Sequence, residues 1–312
     1  MLGCNMAHAD GVRVGVLKFG TVNWELDVID HHGLDRQNGI ELTVQKLASK
    51  NATSVALQGG AVDIIVSDWI WVSRQRAANK DYVFVPYSLT VGALMVNPVA
   101  GIESLADFNG QKLGIAGGPV DKSWLILQAW SEKQGMDIKA SVEPTFAAPP
   151  LLNKLALRDE IPAVLNFWHY TARLSAAGFK SLVSVNQMLP ELGVDGDVPL
   201  LGWVFSEKWA QQNPEALLGF LRSSYAAKAR LDSSDEEWQR IKPLTKADSD
   251  KLLDALKNAY RAGIPRQFGE AERENAARLF AIMAKLGGEK LVGDSMELQQ
   301  GTFWPVDVAE LN

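Results

Sequence analysis

The chain has 312 residues, with 31 Lys+Arg against 37 Asp+Glu for a net charge of −6, and its 47% hydrophobic and 22% charged residues exclude a disordered or low-complexity chain. No run reaches the ~18 uninterrupted apolar residues of a membrane span, residues 64–72 being broken by Asp68, and the acidic balance without a Lys/Arg-rich run argues against nucleic acid as a partner. One cysteine, Cys4, excludes an internal disulfide, a zinc cluster and an iron–sulfur site, and four histidines leave little room for a His-built metal centre.

At the start, Ala7-His8-Ala9 has the small-x-small pattern of a signal-peptidase site, which would make Asp10 the first mature residue. The apolar segment expected before it is reduced to Met1-Leu2-Gly3, so the match is either the tail of a signal or a coincidence of three residues. Leu2-Gly3-Cys4 also resembles a lipoprotein attachment site, one residue short of the usual pattern. A chain with no other cysteine is compatible with an oxidising compartment, and the reading adopted is periplasmic.

The alternation around Val12, Val14 and Val16 predicts a strand over residues 12–19, followed by Gly20-Thr21-Val22-Asn23 and a helix over 24–32. Strands at 40–46 and 62–66 then flank a helix over 53–57, which closes at Gly59-Gly60. Ser67 or Asp68 caps a helix over 69–78, and strands follow at 82–85 and 93–96. After a capped turn at 104–108 comes a strand at 112–115, and Gly117-Gly118-Pro119 opens a helix that runs to Gln134. A helix over 149–157, a buried strand at 163–165 and a helix over 171–177 complete the middle of the chain. Beyond Pro214 helices dominate, over 214–231, 246–262 and 270–286. Repeated β-α-β units predict an α/β fold with mainly parallel sheet covered on both faces. Ligands of such sheets lie beyond the carboxyl ends of strands, where helix N-termini point. The residues at those ends are Gly20 to Trp24, then Ser67 to Trp69, Gly117 to Lys122 and Asn166 to His169, and they include three of the ten tryptophans.

Three segments carry a family resemblance: Ala56-Leu57-Gln58-Gly59-Gly60-Ala61-Val62-Asp63-Ile64, residues 102–114, and Asn213-Pro214-Glu215 with the helix after it. Over about Val12 to Leu231 the sequence resembles the periplasmic solute-binding proteins of nitrate/sulfonate/taurine-type ABC importers. That resemblance implies the type II periplasmic-binding fold, with two doubly wound lobes joined by two hinge strands and closing over a ligand. Lobe 1 would comprise residues 10–96 and 204–312 and lobe 2 residues 97–203, with crossovers at Met95-Val96-Asn97 and Leu201-Gly202-Trp203-Val204. It also implies a small-molecule ligand, an ABC permease as partner, a monomer and no required cofactor or metal. The sequence departs from the family where members place a Ser/Thr-rich anion-binding turn, having Gly117-Gly118-Pro119-Val120-Asp121-Lys122, and at Leu157-Arg158-Asp159-Glu160-Ile161-Pro162-Ala163. These departures argue against nitrate, sulfate esters and taurine.

The expected ligand-binding residues are Thr21, Asn23, Trp24, Asp68, Trp69, Gly118, Lys122, Trp124, Asn166, Trp168 and Trp203. Indole faces suit a planar guest, although each tryptophan taken singly is equally at home in a core. Lys122 stands in a first helical turn, where the helix dipole disfavours a cation by ~0.3–1 kcal/mol, and such departures concentrate at functional sites. Its amine would pair with an anionic group, and desolvation would lower its pKa toward a neutral, nucleophilic amine; alternatively it is a solvated lysine paired with Asp121. Asp68 serves as an N-cap or accepts a ligand donor. A planar, polyanionic, carbonyl-bearing molecule fits this set, and pyrroloquinoline quinone has that chemistry. Phe19-Gly20-Thr21-Val22-Asn23-Trp24-Glu25-Leu26-Asp27 also resembles receptors associated with that quinone in methylotrophs. The alternatives are a receptor for an aromatic or aliphatic sulfonate and a non-transport enzyme on the same fold. Against an enzyme stands the absence of a Ser-His-Asp order, a paired-carboxylate motif or the cysteine-rich motif of related thiamine-precursor synthases.

Overall fold

Aliphatic runs become strands, and the Ser or Asp residues that follow them cap helices. The structure, a computed structural model, describes residues 10–311; the readings at Cys4 and Ala7-His8-Ala9 lie outside the described residues. Ten strands are present among the described residues: β1 (Asp10–Leu17), β2 (Ile40–Leu47), β3 (Ile64–Asp68), β4 (Tyr82–Ser88), β5 (Gly92–Val96), β6 (Lys112–Ala116), β7 (Glu143–Ala147), β8 (Ala163–Phe167), β9 (Lys180–Ser184) and β10 (Leu201–Ser206). They form two five-stranded sheets of matching order, β2-β1-β3-β10-β4 and β7-β6-β8-β5-β9.

In the first sheet β1 runs parallel to β2 and β3, with Val14 between Val44 and Ile64, while β10 is antiparallel to β3 and β4. In the second, β6 is parallel to β7 and β8, and β5 is antiparallel to β8 and β9. The sheets are therefore mixed, each with one antiparallel strand delivered by a crossing. β5 enters the second sheet directly after residues 89–91, and β10 enters the first after residues 185–200. The strand pairing thus sets the crossings earlier than the expected 96/97 and 203/204, because residues 92–96 and 201–204 find their ladder partners in the sheet they are entering.

Strands β7 and β9 were not expected; both are short edge strands with exposed residues, so neither shows an aliphatic run. The helix Asp235–Thr245 was also missed, since its interior Pro243 reads as a breaker; the proline lies in the last turn, where the helix is ending. The helix after β6 begins at Lys122, not at Gly117, because Asp121 takes the N-cap position and its carboxylate accepts the Ser123 N–H. Gly117 has φ 85°, and a Cβ there would stand 2.9 Å from the Asp121 Oδ2. Glycine is thus required to cradle the capping carboxylate.

The first lobe's core gathers Val12, Val14, Ile64, Trp203 and Phe205 under the helices Val22–His32 and Pro214–Ser233. Another core joins Trp69 and Ile70 of the first lobe to Leu125, Ile126 and Leu127 of the second through Phe280 and Met283 of the helix Glu270–Gly287. The C-terminal helices consequently touch both lobes, and the helix Asp250–Ala262 packs on Trp168–Ala176. No helix among the described residues is long and apolar enough to cross a membrane.

Candidate functional site

A cleft of about 210 Å³ opens between the sheets at the carboxyl ends of β1 and β8. Helix starts from both lobes surround it. The first lobe contributes Gly20, Thr21 and Val22 ahead of the helix Val22–His32, and Lys50 and Thr53 from the helix Lys50–Gln58. The second contributes Asp121, Lys122 and Ser123, and Phe167, Trp168 and His169 at the start of Trp168–Ala176. The crossings supply Thr90, Val91 and Leu200. Neither the helix at Val22 nor that at Trp168 has a side-chain cap; the Asn23, Trp24 and Trp168 N–H groups donate to the Gly20, Thr21 and Val91 carbonyls, so what the two helix starts bring to the cleft is a positive dipole end.

The charged groups sit together. Lys122 Nζ lies 2.9 Å from Asp68 Oδ2, and Lys50 Nζ lies 3.9 Å from the same oxygen. The other Asp68 oxygen accepts the Trp71 N–H at 2.9 Å, capping the helix Trp69–Ala77. Burial alone would raise the Asp68 pKa, but Lys122 and Lys50 more than reverse this and hold it below the usual value. Burial pulls the Lys122 ammonium down, yet Asp68 and Asp121 outweigh it and the pKa is raised. This corrects the expectation of a partly neutral amine at Lys122: the counter-charges win over desolvation. Lys50 shifts the other way, lowered by the neighbouring Lys122 cation and by its surroundings. Burial drives Asp121 upward. His169, desolvated and beside Arg173, falls to about 3 and is neutral through the physiological range.

The expected site residues divide sharply. Thr21, Lys122 and Trp168 line the cleft, and Asp68 stands directly behind Lys122. The other tryptophans do not present a face to it. Trp24 is buried edge-on against Trp168 and Trp238. Trp69 is fully buried beside Phe280 and Phe303, its indole N–H donating to the Pro199 carbonyl. Trp124 turns into the second lobe's core, and Trp203 donates to Ser224 Oγ between Tyr87 and Phe220. The reason is common to them: a helix or strand residue beside the ligand end of a sheet faces the core as readily as the cleft, and large apolar area favours the core. Asn23 and Asn166 spend their amides on the fold. Asn23 Nδ2 donates to the Leu17 and Gly20 carbonyls, and Asn166 Nδ2 donates to Pro149 O and Asn153 Oδ1. Gly118 does not line the cleft.

Sequence reasoning missed Lys50 as a cleft residue, whereas His169 stood among the strand-end residues expected near a ligand. Lys50 carried a usable signal, a first-turn cation like Lys122, behind the capping Ser49. A more open depression of about 330 Å³ adjoins the crossing at Thr90 and shares Trp168 with the cleft, but it is lined mainly by small Ser, Thr and Ala side chains. No group of His, Cys, Asp and Glu suited to a metal ion occurs among the described residues.

Comparison with known proteins places the geometry in a context. Residues 29–231 match the family model described as NMT1/THI5 like. No curated protein matches the sequence significantly. Among solved structures, the periplasmic aliphatic sulphonate binding protein SsuA of Escherichia coli is similar, with a TM-score of 0.74 at 16% identity over 95% of this chain and 97% of that one. The alkanesulfonate-binding protein SsuA of Xanthomonas axonopodis pv. citri, bound to MOPS, gives 0.70 at 14% identity over 94% and 98%. The nitrate-binding protein NrtA of Synechocystis PCC 6803 gives 0.58 at 13% identity over 84% and 71%. The architecture is that of a periplasmic binding protein.

Proposed function

We propose a function from one premise: the chain belongs to the NMT1/THI5-like family. It is the substrate-binding protein of an ABC importer, working in the periplasm, and it is not an enzyme. Its two lobes hold a small organic anion in the cleft and present it to a permease. The observation that carries this reading is the meeting of Lys50 and Lys122, from opposite lobes, at a cleft ringed by helix N-termini. Ammoniums and helix dipole ends together favour carboxylate or sulfonate over neutral ligands.

The ligand we favour is flat and carries several anionic groups, with pyrroloquinoline quinone as the first molecule to test. Trp168 offers an aromatic wall, flanked by Phe167 and His169, and neutral His169 adds no competing charge. Lys122 serves as an ammonium: its raised pKa against the depressed Asp68 keeps the proton on the amine, so it pairs with an anionic group of the ligand. An aliphatic sulfonate is the second reading, supported by the fold shared with the SsuA proteins.

Titration calorimetry decides between them. Saturable heat with the quinone, lost in Lys122→Met, supports the first reading. Heat with an aliphatic sulfonate alone makes the chain a sulfonate receptor. Silence with both overturns the small-anion reading.

A further inference from the structure

The ion pair at the cleft is also a contact between lobes. Asp68 ends β3 in the first sheet, whereas Lys122 opens the helix that follows β6 in the second. Their 2.9 Å contact therefore joins the two lobes directly behind the cleft that Lys122 lines. The two partners are unequally free. Asp68 is 5% exposed and anchored through its other oxygen to the Trp71 N–H. Lys122 is held by Asp68 and, more weakly, by the charge of Asp121, on a four-carbon stem whose amine swings readily. An entering anion can thus detach the lysine, while the aspartate stays.

We propose that Asp68 is a built-in competitor for the ligand's anionic group: in the empty protein its carboxylate occupies the Lys122 ammonium and clasps the two lobes together. This rests on the anion reading above and deepens it, because the competitor sets the ligand class. A monoanion exchanges one carboxylate on Lys122 for another group and gains little. A ligand with two or more anionic groups reaches Lys122 and Lys50 together, and Lys50, at 3.9 Å from Asp68 with 62% of its side chain accessible, is only loosely engaged. Asp121 also acts on Lys122 through its charge but more weakly than Asp68, burial raising its own pKa and its Oδ1 accepting the Ser123 N–H. Selectivity for polyanions over monoanions then follows from a residue that never touches the ligand's carbon frame.

The test uses Asp68→Asn, which keeps an oxygen for the Trp71 N–H, asparagine being as good an N-cap as aspartate, and removes only the charge. Lys122→Gln provides a second route to the same broken clasp. Spin labels at Val55→Cys and Leu157→Cys, exposed positions on opposite lobes, in a Cys4→Ser background, report lobe spacing without any ligand. Both variants are expected to broaden the label distance toward longer values. In calorimetry, Asp68→Asn should bind a linear alkanesulfonate about tenfold more tightly, as expected for deleting a like charge at contact range, and should narrow the preference for the quinone tricarboxylate over that monoanion. Unchanged label distances in both variants overturn the clasp. Weaker or equal monoanion binding in Asp68→Asn overturns the competitor. If the variants open the lobes but no sequence binds any anion, the ligand reading falls and takes the competitor with it, while the clasp stands.

Discussion

A lysine–carboxylate pair buried inside the first lobe makes an instructive contrast with the pair at the cleft. Lys228 and Glu25 lie wholly inside the first lobe, 1% and 0% exposed. Glu25 accepts from Ser224 Oγ at 2.6 Å and Tyr260 OH at 3.0 Å as well as from Lys228, and Lys228 lies 3.7 Å over the Tyr87 ring. Burial there lowers the Lys228 pKa despite Glu25. At the cleft burial also pulls Lys122 down, but Asp68 and Asp121 prevail and raise it. The interior pair binds one lobe's helices to each other and offers nothing to a ligand. The cleft pair joins elements that can separate and leaves donors to spare. Chemical identity is shared; the number of satisfied partners and the lobes they belong to decide the role.

The contrast should break most visibly in stability. Lys228→Met leaves Glu25 charged and buried, and a loss of about 3–5 kcal/mol is expected, read from urea unfolding. Lys122→Met, whose partner keeps Lys50 nearby and a helix cap, should cost on the order of 1 kcal/mol but weaken the bound anion at least about tenfold, read by calorimetry. Should the two variants lose similar stability, the distinction between interior brace and cleft clasp fails. Tryptophan fluorescence sharpens it further. Trp168→Phe should remove most of the quenching by a bound quinone, whereas Trp69→Phe and Trp203→Phe should leave it intact, since only Trp168 of the three lines the cleft.

The smallest effect is acid dependence. The Asp68 pKa is held below its ordinary 3.8, the lysines more than offsetting burial. A depressed acid contributes stability that is complete above its unfolded pKa and is lost as pH falls through the folded one. The stability difference between the protein and Asp68→Asn should therefore be constant above about pH 5 and shrink below that, measured by urea midpoints across the range. A difference that grows on acidification would show that Lys122 does not stabilise the carboxylate.

Much of the fold was readable because periodicity and capping are local. The strands around Val14 and Ile64 and the helix capped by Asp68 follow from neighbours within a few residues. The edge strands β7 and β9 were not, having no buried stripe to betray them. At the site, Lys122 stood out because a first-turn cation opposes the helix dipole. Lys50 obeys the same logic, a first-turn cation behind the capping Ser49, and was passed over. The tryptophans misled for the opposite reason: Trp69 and Trp168 do follow strand ends, and the side-chain direction was not encoded there.

The sequence by itself determined the α/β class, the strand-end location of the cleft and the unusual lysine, since each depends on residues close along the chain. Tertiary structure alone decided which indole faces the cleft, where the chain crosses between sheets and that Asp68 reaches Lys122. Those outcomes depend on groups brought together from distant segments, and on whether apolar area or charge wins the space between them.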